Sequence, residues 1–176
     1  NTRFSGKIDR RIRASNFTFN KYRYLFTSRL VPMSTKKRLF EGAVLPALMY
    51  ASETWVLTGR LSNKLAVAQR RWERCMLGIS LLDRRTNQWV RDRTALKDVV
   101  RYCTERRWRW AARIASLDHW RWARAVLEWH PRGPTRQRGR PAMRWRDDLV
   151  KAAGPEFLRK ARDRQEWNRL MALQTQ

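Results

Sequence analysis

Forty lysine and arginine side chains against fifteen aspartates and glutamates give this 176-residue chain a net charge of +25. A compact fold must hold those cations apart and in water, so each element has to sort its residues by face. The sequence shows that sorting at helical spacing. Ile8, Ile12, Phe19, Tyr22, Phe26 and Leu30 fall on one face while Arg10, Arg13 and Lys21 take the other, which predicts a helix ending before Pro32. Ser34 is placed to cap a second helix through Leu39, Phe40, Val44 and Leu48, kinked at Pro46. The third is the clearest. Leu61, Leu65, Ala68, Trp72, Met76 and Ile79 form its stripe, Arg70, Arg71 and Arg74 fall elsewhere, and Gly78 offers a stop.

The polar segment Asp83-Arg84-Arg85-Thr86-Asn87 reads as a boundary between lobes. Beyond it Leu96, Val99, Cys103, Trp110, Ile114 and Leu117 predict a fourth long helix, with Arg106, Arg109 and Arg113 on its opposite side. Residues 120–129 fit a short helix or an edge strand, and 131–141 form a turn-rich basic loop. Two short helices close the chain. One carries Trp145, Leu149 and Ala152; the other starts near Pro155 and carries Leu158, Ala161, Trp167, Leu170 and Met171. With no convincing strand and no repeat, the expected fold is all-α: a helical bundle over 1–80 and a smaller basic helical lobe over 81–176.

A hydrophobic content of 43% with ten tryptophans excludes a disordered basic tail. Most of the cations are arginine, whose planar fork suits phosphate and whose face stacks on bases, so nucleic acid is the expected partner. There is no apolar run of membrane-spanning length and no readable signal segment, so the expectation is an intracellular chain with no membrane contact. Cys75 and Cys103 are too far apart for a Cys-x-x-Cys zinc motif and are expected to be buried or inert. The sequon at Asn16-Phe17-Thr18 is incidental without secretion.

Chemistry is harder to place. Asp147 and Asp148 are adjacent, and neighbouring helical positions diverge by about 100°, so two metals would need carboxylates from elsewhere. Helix ion pairs, Asp148 with Arg144 and Asp147 with Lys151, are the plainer reading. His119 and His130 have no nucleophile in a fitting motif, and there is no glycine-rich phosphate loop. No catalytic residue, metal ligand or cofactor is therefore expected.

The run Val44 to Leu57, then Arg70-Arg71-Trp72-Glu73-Arg74-Cys75-Met76-Leu77-Gly78-Ile79-Ser80, then Arg138-Gly139-Arg140-Pro141 followed by Arg144-Trp145-Arg146-Asp147-Asp148-Leu149, resembles the C-terminal part of non-LTR (LINE-type, RTE-like) retrotransposon reverse transcriptases. The likeness spans nearly the whole chain in the same order, and Ile8-Asp9-Arg10-Arg11-Ile12 looks like the piece just after the palm. It implies a thumb followed by a C-terminal extension. The intact protein would copy RNA into DNA, with its Mg²⁺-binding carboxylates in a Tyr-x-Asp-Asp hairpin upstream of this segment. The Cys-Cys-His-Cys knuckle of some relatives is missing here, which bears on any zinc-dependent RNA contact.

The resemblance thus implies a non-catalytic module that grips template-primer duplex, element RNA or target DNA beside an upstream polymerase core, in a nuclear and cytoplasmic ribonucleoprotein. Candidate contacts are Arg106, Arg109 and Arg113 on the fourth helix, and Arg136, Arg138, Arg140 and Arg144 in and after the basic loop. Two other readings stay open. One is a regulatory or domesticated module whose basic surface meets an acidic protein; the other takes Arg138-Gly139-Arg140-Pro141 as an AT-hook for the minor groove. The oligomeric state is not legible.

Overall fold

The computed structural model describes residues 2–118, 120–128 and 145–174. Every regular element among them is helical, and the fold is all-α as the periodicity predicts. Two compact units emerge, Asn1–Ala51 with Leu57–Tyr102, and Ser52–Val56 with Cys103–Gln176. The first holds α1 (Thr2–Lys21), α2 (Arg23–Thr27), α3 (Met33–Leu39), α4 (Leu45–Leu48), α5 (Gly59–Leu77) and α6 (Asn87–Thr94). Helix α7 (Val99–Ala115) starts in the first unit and runs on in the second, which adds α8 (Trp122–Glu128), α9 (Asp147–Ala153), α10 (Phe157–Lys160) and α11 (Arg164–Gln174).

The first predicted helix is two. It breaks at Tyr22, where the backbone leaves helical geometry, and α2 ends at Ser28 in an extended conformation. That exit puts Leu30 in solvent at 94% exposure, whereas Ile8, Phe19 and Phe26 are buried as the stripe requires. The next helix starts one residue before Ser34, with Pro32 in the capping position and no side-chain cap. Pro46 brings a π-turn rather than a simple kink. It lacks an N–H and its ring would meet the carbonyl four residues back, so the helix widens over Phe40–Val44, where the Leu45 amide reaches back to the Phe40 carbonyl. Regular helix resumes with Pro46 in the first turn of α4.

Helix α5 has the expected anatomy at both ends. The Thr58 hydroxyl accepts from the Leu61 amide, and Gly78 at φ 67° lets its own amide and that of Ile79 return to Cys75 and Arg74. Lys36, buried beneath this terminus, donates to the Met76 carbonyl at 3.0 Å, a group the helix leaves without a partner. Burial holds its ammonium below the usual lysine range.

Arg70, which spacing places off the apolar stripe, nevertheless lies inside the core. Arg70 is buried and bonds the equally buried Glu73, while Gln69 donates to Glu73 at 2.8 Å and to the Lys97 carbonyl at 2.9 Å. The Val99 amide closes the set by donating to Gln69 Oε1 at 2.9 Å. Burial, with the nearby Arg91 cation, pulls the Arg70 guanidinium down to about 10.

Helix α6 had no stripe to announce it. Only Trp89 and Val90 are apolar in Asn87–Thr94, yet Thr86 caps it and Val90 is fully buried. It packs on α5, and the polar segment at 83–87 lies within the first unit as a connection between the two helices. Ala95, at φ 48°, then ends α6, and the Asp98 carboxylate accepts from the Val100 and Arg101 amides to start α7. The long helix predicted from Leu96 therefore begins at Val99.

In the second unit Trp108 and Trp167 meet at 4.4 Å between ring centroids, and the Trp167 indole N–H donates to the Trp108 carbonyl. Ala111, Ala115, Leu149, Ala153, Phe157 and Ala161 complete that core. Residues 122–128 resolve as helix rather than strand. The last predicted helix is α10 and α11, split at Asp163, whose carboxylate accepts from the Gln165 and Glu166 amides; Pro155 precedes α10 by two positions instead of opening it.

Candidate nucleic-acid interface

At about 100° per residue Arg106, Arg109 and Arg113 border the Trp110 and Ile114 stripe of α7 rather than oppose it, and much of their charge is already matched. Arg106 pairs with Glu53 at 3.2 Å and Arg109 with Glu105 at 3.2 Å; Arg113 is exposed. Arg107, between them and not singled out by spacing, is buried. It donates to Asp148 at 2.7 Å and to the Trp55 carbonyl at 3.5 Å. Arg136, Arg138, Arg140 and Arg144 lie outside the described residues, as does the turn-rich loop that carries the AT-hook reading.

This answers what the Trp-Arg-Asp-Asp word is for. Asp148 takes Arg107, a partner 41 residues away, and the Trp145 indole donates to the Glu53 carbonyl at 2.6 Å while its ring meets Trp110 edge-on at 4.9 Å. Arg144, the helix partner expected for Asp148, lies outside the described residues. No group of three or more His, Cys, Asp or Glu that could hold a metal ion occurs among the described residues. Asp148→Ala should strand the Arg107 cation and destabilise the second unit by about 2 to 3 kcal/mol, whereas Asp147→Ala at an exposed position should stay within about 0.5. Urea unfolding of the two variants checks the contrast, which fails if they are equal.

The outward face of α1 is different. Arg10, Arg13, Phe17 and Lys21 lie within a stripe roughly 80° wide, at 3.6 residues per turn. All four are exposed, Phe17 at 77%, and Tyr24 follows on α2 at 70%. None of the three cations has a carboxylate partner among the described residues. Sequence spacing put these cations on one face but passed over Phe17 and Tyr24, although large aromatics amid cations and away from the apolar stripe are the signal that marks them. A second cation and aromatic cluster surrounds Trp89, with the Arg85 and Arg93 guanidinium carbons 5.1 and 5.3 Å from the ring centroid. In the second unit Arg121 lies over the exposed Trp120 at 4.6 Å.

The cysteines divide. Cys103 is buried, and burial pushes its thiol up to about 11, whereas Cys75 is only half-buried. No helix among the described residues is long and apolar enough to cross a membrane.

No family model matches the sequence, and no solved structure matches it. The chain is 31% identical over 174 residues to a transposon-derived protein of Caenorhabditis elegans, a likeness that covers 92% of this chain and 62% of the relative. The chain thus spans less than two thirds of the length of the protein it matches. Nearly all of it is similar to transposon-derived sequence.

Proposed function

We propose that the chain is a nucleic-acid-binding part of a retrotransposon reverse transcriptase, holding template-primer duplex, element RNA or target DNA and doing no chemistry of its own. The observation that carries this reading is the α1 stripe, where Arg10, Arg13 and Lys21 present unmatched charge around Phe17. Cations follow a phosphate backbone, and an exposed ring offers an unpaired base a stacking surface. The likeness to a transposon-derived protein supports the setting, and the sequence motifs support the polymerase. Copying would be done by an upstream core with its own Mg²⁺. Residence in a ribonucleoprotein in nucleus and cytoplasm belongs to the same proposal.

The test is binding of the purified chain to RNA, RNA–DNA hybrid and duplex DNA in parallel, with heparin as competitor. Replacing Arg10, Arg13 and Lys21 together by Gln should weaken all sequences alike and lower the slope of log affinity against log salt by about 0.9 for each duplex phosphate no longer neutralised. Phe17→Ala should cost single strands about 1 to 3 kcal/mol and spare duplex. Parent-like binding by the triple variant would remove α1 from the interface. Heparin binding that no nucleic acid can displace would favour an acidic protein partner instead.

A further inference from the structure

Beside the α1 stripe, a cavity of about 170 Å³ opens between α1, α2 and α5. Asn16, Phe19 and Asn20 come from α1, Arg23 from α2, and Arg71, Trp72 and Cys75 from α5. Phe19 and Trp72 are buried rings whose centroids lie 6.3 Å apart, a rigid apolar floor. The polar groups above it are biased towards donors. The Trp72 indole N–H can only donate, and it donates to Asn16 Oδ1 at 2.9 Å, which fixes the carboxamide and leaves its NH₂ as the free end. The guanidiniums of Arg23 and Arg71 are donors alone, and neither has a carboxylate partner among the described residues. No carboxylate lines the cavity.

Two unmatched guanidiniums on one concavity repel each other, and the arrangement calls for an anion with several acceptor oxygens. We propose that this cavity seats one phosphate group of a bound nucleic-acid strand, with Arg23 and Arg71 as its two forks and Asn16 as a further donor. The assignment rests on the nucleic-acid reading above. Its geometry agrees with that reading, because Asn20 and Arg23 are the chain neighbours of Lys21 and Tyr24 on the exposed face. A strand lying along α1 can turn one phosphate into the cavity without leaving the stripe. The volume, several times that of a water molecule at about 30 Å³, leaves room for the group.

Cys75 makes the site observable. It lines the cavity and is half-buried, while Cys103 is buried with its thiol raised to about 11, so maleimide labelling of the full chain at neutral pH reports Cys75. A 20-base-pair DNA duplex should slow that labelling several-fold, and inorganic phosphate at high concentration should slow it more weakly. Arg23→Gln with Arg71→Gln should abolish both protections, weaken duplex binding roughly tenfold and lower the salt slope by about 0.9, the worth of one phosphate. Arg38→Gln with Arg60→Gln, exposed positions away from the cavity, should keep the protection. Salt-sensitive duplex binding with Cys75 labelled at its free rate would overturn the seat and leave the nucleic-acid reading standing. Absence of duplex binding overturns both, even if inorganic phosphate still protects the thiol.

Discussion

Raising the salt from 50 to 200 mM should weaken binding to duplex by roughly three to five decades if about 6 to 10 phosphates are neutralised. Each neutralised phosphate releases condensed counterions, so affinity falls linearly on logarithmic axes, and the slope reports how many phosphates are covered. A chain of net charge +25 has cations in excess for that number even after its ion pairs are discounted. Arg106 and Arg109 already face Glu53 and Glu105 and should contribute less than Arg10 or Arg13. Fluorescence anisotropy with a labelled duplex across that range measures the slope. A nearly flat line would rule out phosphate contact as the source of affinity, and with it the proposed function.

Glu73→Ala is expected to destabilise the first unit by about 3 to 5 kcal/mol, because it leaves the buried Arg70 cation without its main partner and frees one donor of Gln69. Asp98, 3.6 Å from Arg70 and shared with Arg91, cannot replace it. Replacing both members, Arg70→Met with Glu73→Leu, should recover most of the loss, since two apolar groups of similar volume need no partner. Urea unfolding of the two variants beside the parent gives the comparison. A single Ala substitution as mild as the double one would mean that water reaches the pair.

These two predictions sit on different kinds of residue, and the difference explains what could be read beforehand. Helices with a continuous apolar stripe, α5 above all, were legible because burial follows period. Where a break resets the register, as at Tyr22 or Ala95, the stripe continues on paper and the chain does not; Leu30 is the result. Arg70 was placed off the apolar stripe, although spacings of three and four put Arg70 and Gln69 beside Glu73 in one buried network. Of the words that carry the family resemblance, Arg-Arg-Trp-Glu-Arg holds α5 in place through its first, third and fourth residues, and Trp-Arg-Asp-Asp ties α9 to Arg107 and Glu53. Both are structural. The candidate contacts had the opposite history, since spacing named α7, whose carboxylate partners it could not see, and left Phe17 unremarked.

The π-turn before Pro46 has an arithmetic side. Lys36, Phe40, Val44 and Leu48 are all buried and follow one another at intervals of four. At 3.6 residues per turn, three such intervals overshoot by roughly 120°, which would carry the last of them well round the helix from the first. A wider turn advances less per residue, and placing it at Phe40–Val44 takes up part of that overshoot. A plain fourfold spacing ahead of a proline is thus itself a record of the turn it demands.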